Sequence, residues 1–183
     1  EIVIPPTSNI KNEKVLLERR KILNAAAISG VKVSQIHAGY PIHATKDVTV
    51  SVYTDKNLDL KDKNGCAVYE INYGSTNFVL SSCLGAKGQE LLSQIGSDCD
   101  VLKIPSYGSA VKASGKFISS FDPDYAVITS PPQSKYYIFD RKMSEILRRQ
   151  KIKYARTDKN KTITFVTDGT KIKSVSASEG ELR

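Results

Sequence analysis

Few side chains in these 183 residues have the type and spacing that chemistry demands. The two histidines, His37 and His43, lack the HxH or HExxH spacing of metal sites and read as ordinary surface or core residues. The three cysteines, Cys66, Cys83 and Cys99, form no CxxC, and an odd count argues against a disulfide framework. The most pointed stretch is DVLKIPSYGS, residues 100–109. There a short apolar run stops at Ile104 and opens into a polar turn, the kind of strand end where α/β proteins place reactive groups. Ser106 and Tyr107 have no histidine beside them to act as a base. Lys103, on the same strand, is a weak substitute because alternation and burial hold it elsewhere.

The second chemical feature is charge. The chain carries net +8, and residues 135–161 alone hold ten Lys/Arg against three Asp/Glu, which is +7 of that total. A local excess of this kind attracts nucleic acid, anionic lipid or an acidic polymer; a merely solvated helix face is the plainer alternative. The candidate phosphate contacts are Arg141, Lys142, Arg148, Arg149, Lys151, Lys153 and Arg156. Tyr136, Tyr137 and Tyr154 lie among them, with rings able to stack on unpaired bases or to close the edge of a core.

The elements that must position these groups follow from periodicity. A hydrophobic content of 40% and a charged content of 25% describe one ordinary globular domain with a sizeable core. No run of eighteen apolar residues is present to span a bilayer. The chain opens on Glu1 with no signal-peptide pattern, so it is expected to be a segment of a longer protein. IVI at 2–4 reads as a buried strand, and Asn9 to Gly30 as a helix with Val15, Leu16, Leu23 and Ala26 or Ala27 inward. VKVSQIH (31–37) and VTVSVYT (48–54) alternate like half-buried strands, with Gly39, Pro41 and 55–65 as loop. Residues 66–74 and 76–82 form a hairpin turning at Gly74–Ser75. From 76 to 156 strands and short helices alternate: a helix at 85–95 with Leu91, Leu92 and Ile95 inward, one at 115–121 with Phe117, Ile118 and Phe121 apolar, one at 139–150 with Phe139, Met143, Ile146 and Leu147 on one stripe, and strands DVLKI, DYAVITS and IKYAR. KTITFVTDGTKIKSV closes the chain as a hairpin around Asp168–Gly169. The expected architecture is a layered α/β domain over 1–176 with a flexible tail at 177–183.

Several blocks recur in a recognisable order: NFVLSSCLGAKGQELL, DVLKIPSYGS, FDPDYAVITS and ILRRQKIKYARTDKNKTITFVTDG, with IVIPP and DKNGCAVYEINYG before them. In this order they resemble the metallo-β-lactamase-fold domain of ComEC-type competence proteins, membrane channels that import DNA. The resemblance covers most of the chain. It implies the second half of an αββα sandwich, on the outer side of a membrane, joined to the transmembrane part of the same protein. Half a sandwich is expected to leave one sheet face open, hence self-association of the fragment or an unusual independent packing.

The family binds two divalent metals through His and Asp at strand ends, and those metals lower the pKa of a bridging water. Residue by residue, the ligand positions read differently here. The bridging Asp falls on Cys83, the two histidines of the GHHGS-like turn on Ser106 and Tyr107, and the later histidine near Ile138. Gly108 and Ser109 keep the turn. The HxHxDH motif has no counterpart in residues 1–183. The resemblance therefore implies a catalytically degenerate domain with no metal cofactor, binding DNA through its basic face. Two alternatives stay open. One is an active zinc- or manganese-dependent nuclease or phosphodiesterase whose remaining ligands lie outside this chain; the other is a structural or protein-interaction domain.

Overall fold

The structure is a computed structural model. It describes residues 1–4, 12–35, 40–43, 45–53, 67–82, 84–94, 96, 98–110, 113–132 and 139–180, with backbone only at 40–43, 53 and 91.

A short β-α-β unit opens the chain: β1 (Ile2–Ile4), α1 (Glu13–Ile28) and β2 (Val33–Gln35), with β1 and β2 paired in parallel. The helix starts at Glu13, because Asn12 caps it: its side chain accepts the Lys14 and Val15 amides at 3.1 and 3.4 Å. The expected start at Asn9 lies outside the described residues. At the other end the Gly30 amide reaches the Ala27 carbonyl and the Val31 amide the Ala26 carbonyl. This termination needs a left-handed residue, which Gly30 supplies at φ +62°. Ala26 is the buried residue of α1, whereas Val15, expected inward, is exposed.

The main sheet has seven strands in the order β3-β4-β5-β6-β7-β8-β9: Tyr40–His43, Val48–Tyr53, Val68–Tyr73, Thr76–Ser81, Val101–Lys103, Tyr125–Ile128 and Lys153–Arg156. Pro41, expected in a loop, sits inside β3. Among the described residues that strand is the sheet's edge, paired with β4, and an edge strand is where a proline is tolerated in a sheet. β3 to β6 are antiparallel, and β6 to β9 are parallel and adjacent in sequence order. The crossovers of the parallel half are α2 (Ala86–Ser93), α3 (Gly115–Ser119) and α4 (Arg141–Arg149).

Strand alternation divides the sheet's faces. Val79, Leu102, Ala126, Ile128 and Tyr154 share one apolar cluster with Leu92 of α2, Phe117 and Ile118 of α3, and Met143 and Leu147 of α4. All three helices therefore lie on one face, as crossovers of a single hand require. Leu102, Ile104, Phe117, Ile118, Ile128, Met143 and Leu147 have no exposed surface, and each such side chain contributes about 1.5–3 kcal/mol on burial. The expected inward residues Leu91 and Ile95 lie outside what is described of side chains.

The second face carries the opposite parity, and it is not bare. Val52 and Val101 on it are buried, and a terminal hairpin, β10 (Ile163–Thr167) with β11 (Ile172–Ala177), lies over its centre. Phe165 stands edge-on to Phe78 at 6.2 Å and to Tyr125 at 5.6 Å between ring centroids. The hairpin also locks tip to tip with β5–β6. The Ser75 amide donates to the Gly169 carbonyl at 2.7 Å, and the Thr76 and Thr167 hydroxyls share a hydrogen bond at 2.8 Å. A short helix, α5 (Thr157–Asn160), joins β9 to this hairpin. Past β11, the Ser178 amide donates to Thr162 and the Glu179 amide to Asn160. The segment expected as a tail thus starts in ordered hydrogen bonds.

The tip lock makes a graded prediction. Gly74 has φ +59°, and a Cβ there would collide with the Gly169 carbonyl; Gly30 has a similar φ but open space around it. Gly30→Ala is expected to cost about 1 kcal/mol, and Gly74→Ala about 3 kcal/mol or more. Urea unfolding of the two variants checks this; equal losses would remove the lock from the account.

Candidate functional site

Parallel strands deliver their C-terminal ends to one edge, and that edge is where the sequence places its chemistry. β7 runs into Ile104, Pro105 and a single 3₁₀ turn over Ser106–Gly108. Three consecutive residues here are left-handed: Ser106 at φ +51°, Tyr107 at +60° and Gly108 at +76°. Only glycine adopts this region freely, so Ser106 and Tyr107 each carry strain of roughly 1–2 kcal/mol. The surroundings enforce it. The Ser106 amide donates to the Ser82 carbonyl at 3.2 Å, and the Gly108 amide to the Pro105 carbonyl at 3.2 Å. A Cβ on Gly108 would meet Ile128 at 2.8 Å and the Phe139 ring at 3.2 Å, so the glycine is required by contact as well as by φ.

The neighbouring strand ends are tied by side chains. The Thr157 hydroxyl accepts the Ser130 amide at 2.9 Å and donates to the Ser130 carbonyl at 3.0 Å, joining the ends of β8 and β9. The Lys103 ammonium donates to the Ser81 carbonyl at 2.9 Å, and the Ser81 hydroxyl donates back to the Lys103 carbonyl. Burial pushes the Lys103 amine below the usual lysine value. This lysine is engaged on β6.

Arg156 ends β9, and its guanidinium closes on two partners. It grips Asp158 bidentately, Nε to Oδ1 at 2.9 Å and Nη2 to Oδ2 at 2.5 Å. Its plane also lies 3.8 Å from the Phe139 ring centroid. These hydrogen bonds hold the Asp158 carboxyl below the usual carboxylate range. Arg156 was expected to contact phosphate; its donors point instead into this pair.

A divalent metal needs several imidazole, thiolate or carboxylate donors converging on one point. The strand-end groups described are the Ser106 hydroxyl, the Tyr107 phenol, and a carboxylate, Asp158, already occupied by Arg156. Among the described residues no group of three or more His, Cys, Asp or Glu is placed to hold a metal. Among the described residues this donor set does not fit a pair of divalent metals. Cys83 and Ile138, the other two positions matched above to the family's ligands, lie outside the described residues, as do Cys66 and His37. Cys99 sits in the core, where burial, with Asp100, Glu70, Asp98 and Asp124 nearby, pushes its thiol up to about 12 and leaves it protonated.

The basic residues sort into three places. Asp140 caps α4 by accepting the Lys142 amide at 2.9 Å. With Met143 and Leu147 buried, helical spacing turns Arg141, Lys142, Arg148 and Arg149 to solvent, and Lys151 follows at φ +59° just beyond the helix. None of these five is in an ion pair among the described residues. Lys153 has the opposite strand parity to Tyr154 and lies 5.4 Å from the Tyr125 ring on the second sheet face. Arg156 is closed at the strand end. Tyr154, considered for stacking, is 4% exposed under α4, so it is core; Tyr136 and Tyr137 lie outside the described residues. The strained turn at 106–108 was invisible to sequence reasoning as strain; its one signal was the kept Gly108.

A parallel run of strands with its helices on one face and an irregular, strained edge at the strand ends, carried by blocks in the order quoted above, defines a metallo-β-lactamase-like α/β domain. In sequence the chain is similar to ComE operon protein 3 of Bacillus subtilis, 27% identical over 148 residues. That match takes in 79% of this chain but 19% of the relative, so the chain spans about a fifth of that protein's length. No family model matches. Among solved structures, a protein from Parabacteroides distasonis described as a metal-dependent hydrolase superposes with TM-score 0.50 at 10% identity, covering 74% of this chain and 61% of that one. The metallo-β-lactamase fold protein YhfI of Bacillus subtilis gives TM-score 0.44 at 14% identity, over 73% of this chain and 54% of that one.

The Arg156–Asp158 pair has a pH signature. Because the folded state lowers the Asp158 pKa, the pair's contribution is present above the unfolded value, about 4, and is lost as pH falls through the folded value. Asp158→Asn is expected to cost about 1–2 kcal/mol at neutral pH, and the gap from the parent to close toward strong acid. Urea unfolding across pH measures it; a gap independent of pH would assign the loss to packing alone.

Proposed function

We propose that this domain is a catalytically degenerate relative of the metallo-hydrolases that binds DNA non-specifically through the outward face of α4. In this reading it is the extracytoplasmic part of a DNA-uptake membrane protein, and the transmembrane part of that protein is its covalent partner. Among the described residues, no helix is long and apolar enough to cross a membrane. The observation that carries the reading is the cluster of five exposed cations, Arg141, Lys142, Arg148, Arg149 and Lys151, none in an ion pair among the described residues. Phosphate contact asks only for positive charge at the right height, and it releases counterions, so such binding is tolerant of sequence and steeply dependent on salt. Similarity to ComE operon protein 3 supports the competence setting.

The experiment is a charge reversal. Arg148→Glu with Arg149→Glu is expected to weaken binding to a labelled oligonucleotide by about ten-fold or more, and to lower the slope of log affinity against log salt by roughly 2. Both residues are exposed, so thermal stability should stay near that of the parent. Unchanged affinity would sink the DNA reading and leave the protein-interaction role.

The degenerate reading has its own test. After incubation with zinc and manganese and then desalting, elemental analysis is expected to find less than about a tenth of a metal ion per chain. One ion per chain would overturn it and bring back the metal-dependent hydrolase, with Cys83 the first residue to substitute.

A further inference from the structure

We infer that the DNA surface does not end with α4 but continues to Lys161, just beyond α5, and that Lys151 and Lys161 are phosphate anchors at opposite ends of β9. The inference rests on the DNA-binding reading above and extends it to a residue outside the basic helix.

Two turns of this molecule carry a lysine where the backbone suits glycine, and the molecule supplies its own comparison for the first. α1 ends with the Gly30 amide on the Ala27 carbonyl at 3.2 Å and the Val31 amide on the Ala26 carbonyl at 2.8 Å. α4 ends in the same way, with the Lys151 amide on Arg148 at 3.1 Å and the Ile152 amide on Leu147 at 2.9 Å. The pivot residue has φ +62° in one and +59° in the other, but it is glycine after α1 and lysine after α4. Lys161 is the second case. Its amide closes α5 on the Thr157 carbonyl at 3.1 Å, and its φ of +55° and ψ of −114° are those of the first central position of a type II′ turn, where glycine is the usual occupant. The turn is held from outside. The Asn160 side chain accepts the Arg156 amide at 2.9 Å and donates to the Glu179 carbonyl at 3.1 Å.

A Cβ is unfavourable at both pivots, so folding alone favours glycine there. Both lysines are exposed, and among the described residues neither ammonium is in an ion pair. What each adds to a strained backbone is a positive charge at a fixed height, and an anion from outside is the group that uses it. β9 rises about 10 Å between the two pivots, and the phosphates of one strand advance by roughly 3.4 Å per nucleotide, so the two anchors meet phosphates about three nucleotides apart. The far anchor belongs to the same surface. Arg156, one residue before α5, lies 3.8 Å from the ring of Phe139, two residues before α4, so the end of β9 that leads to Lys161 abuts the start of the cationic helix.

The experiment separates charge from fold by moving stability and affinity in opposite directions. Lys161→Gly is expected to raise the melting temperature by about 2–4 °C, since glycine takes the same backbone without a Cβ. Its affinity for a labelled oligonucleotide is expected to fall about four-fold, with the slope of log affinity against log salt lower by roughly 1. Lys151→Gly is expected to do the same, and the double variant to lower the slope by roughly 2. Lys161→Arg returns the charge to the strained site and is expected to recover most of the affinity without the gain in melting temperature. Lys14→Ala removes one exposed charge from α1 and controls for net charge. Unchanged affinity in Lys161→Gly, or an equal loss in Lys14→Ala, would overturn the anchor at 161 and leave the face of α4 standing. A lowered melting temperature in both glycine variants would make the lysines structural caps and overturn the inference as well. No binding by the parent would overturn the DNA-binding reading itself.

Discussion

Four parallel strands in sequence order leave their crossover helices one face to occupy, and most of the molecule follows from that constraint. α2, α3 and α4 form a single layer over Leu102, Ala126 and Ile128, the best-buried centre of the domain. The same constraint brings the ends of β6, β7, β8 and β9 to a common edge. It is why Ser82, Ser106, Ser130 and Thr157, far apart in sequence, are joined by hydrogen bonds there. The second face is then free for a different use, and the terminal hairpin takes it by wedging Phe165 between Phe78 and Tyr125.

At that edge the described ionic groups are directed toward each other. Arg156 and Asp158 are mostly buried, at 18% and 14% side-chain exposure, and satisfy each other bidentately with Phe139 underneath. Removing one partner of such a pair leaves the other charged and poorly solvated, which is the expensive change. The pair is self-sufficient, each group satisfying the other's charge. The charge that faces outward lies elsewhere, on α4, where solvent screens it and a polyanion can reach it.

The parallel half was legible because buried strands and short amphipathic helices alternate there with clear punctuation. Leu102, Phe117, Met143 and Leu147 could be placed inward from periodicity alone. Three kinds of feature were not legible. Pro41 in β3 reads as a loop breaker, and only knowing that β3 is an edge strand makes it harmless. The orientation of β9 could not be read, because both of its faces are covered to some degree; parity put Tyr154 under α4 and Lys153 on the far side, splitting residues that look like one basic-aromatic cluster. The partnership of Arg156 with Asp158 and Phe139 depends on a ring seventeen positions upstream in sequence, and charge counting treats that arginine as free. At the turn after β7, the left-handed run at 106–108 is a property of packing around Gly108 that no residue type announces.

The edge where the parallel strands begin carries both signs of charge. Asp98 and Asp100 precede β7, and Asp122 and Asp124 precede β8. α4 runs back to that same edge, so Arg148, Arg149 and Lys151 lead into β9, whose first residue, Lys153, donates its amide to the Asp124 carbonyl. Opposite charges set this close cancel at long range, and salt screens what is left within about 10 Å at 0.1 M. The cationic face of α4 is therefore a short-range feature, felt on contact rather than from a distance.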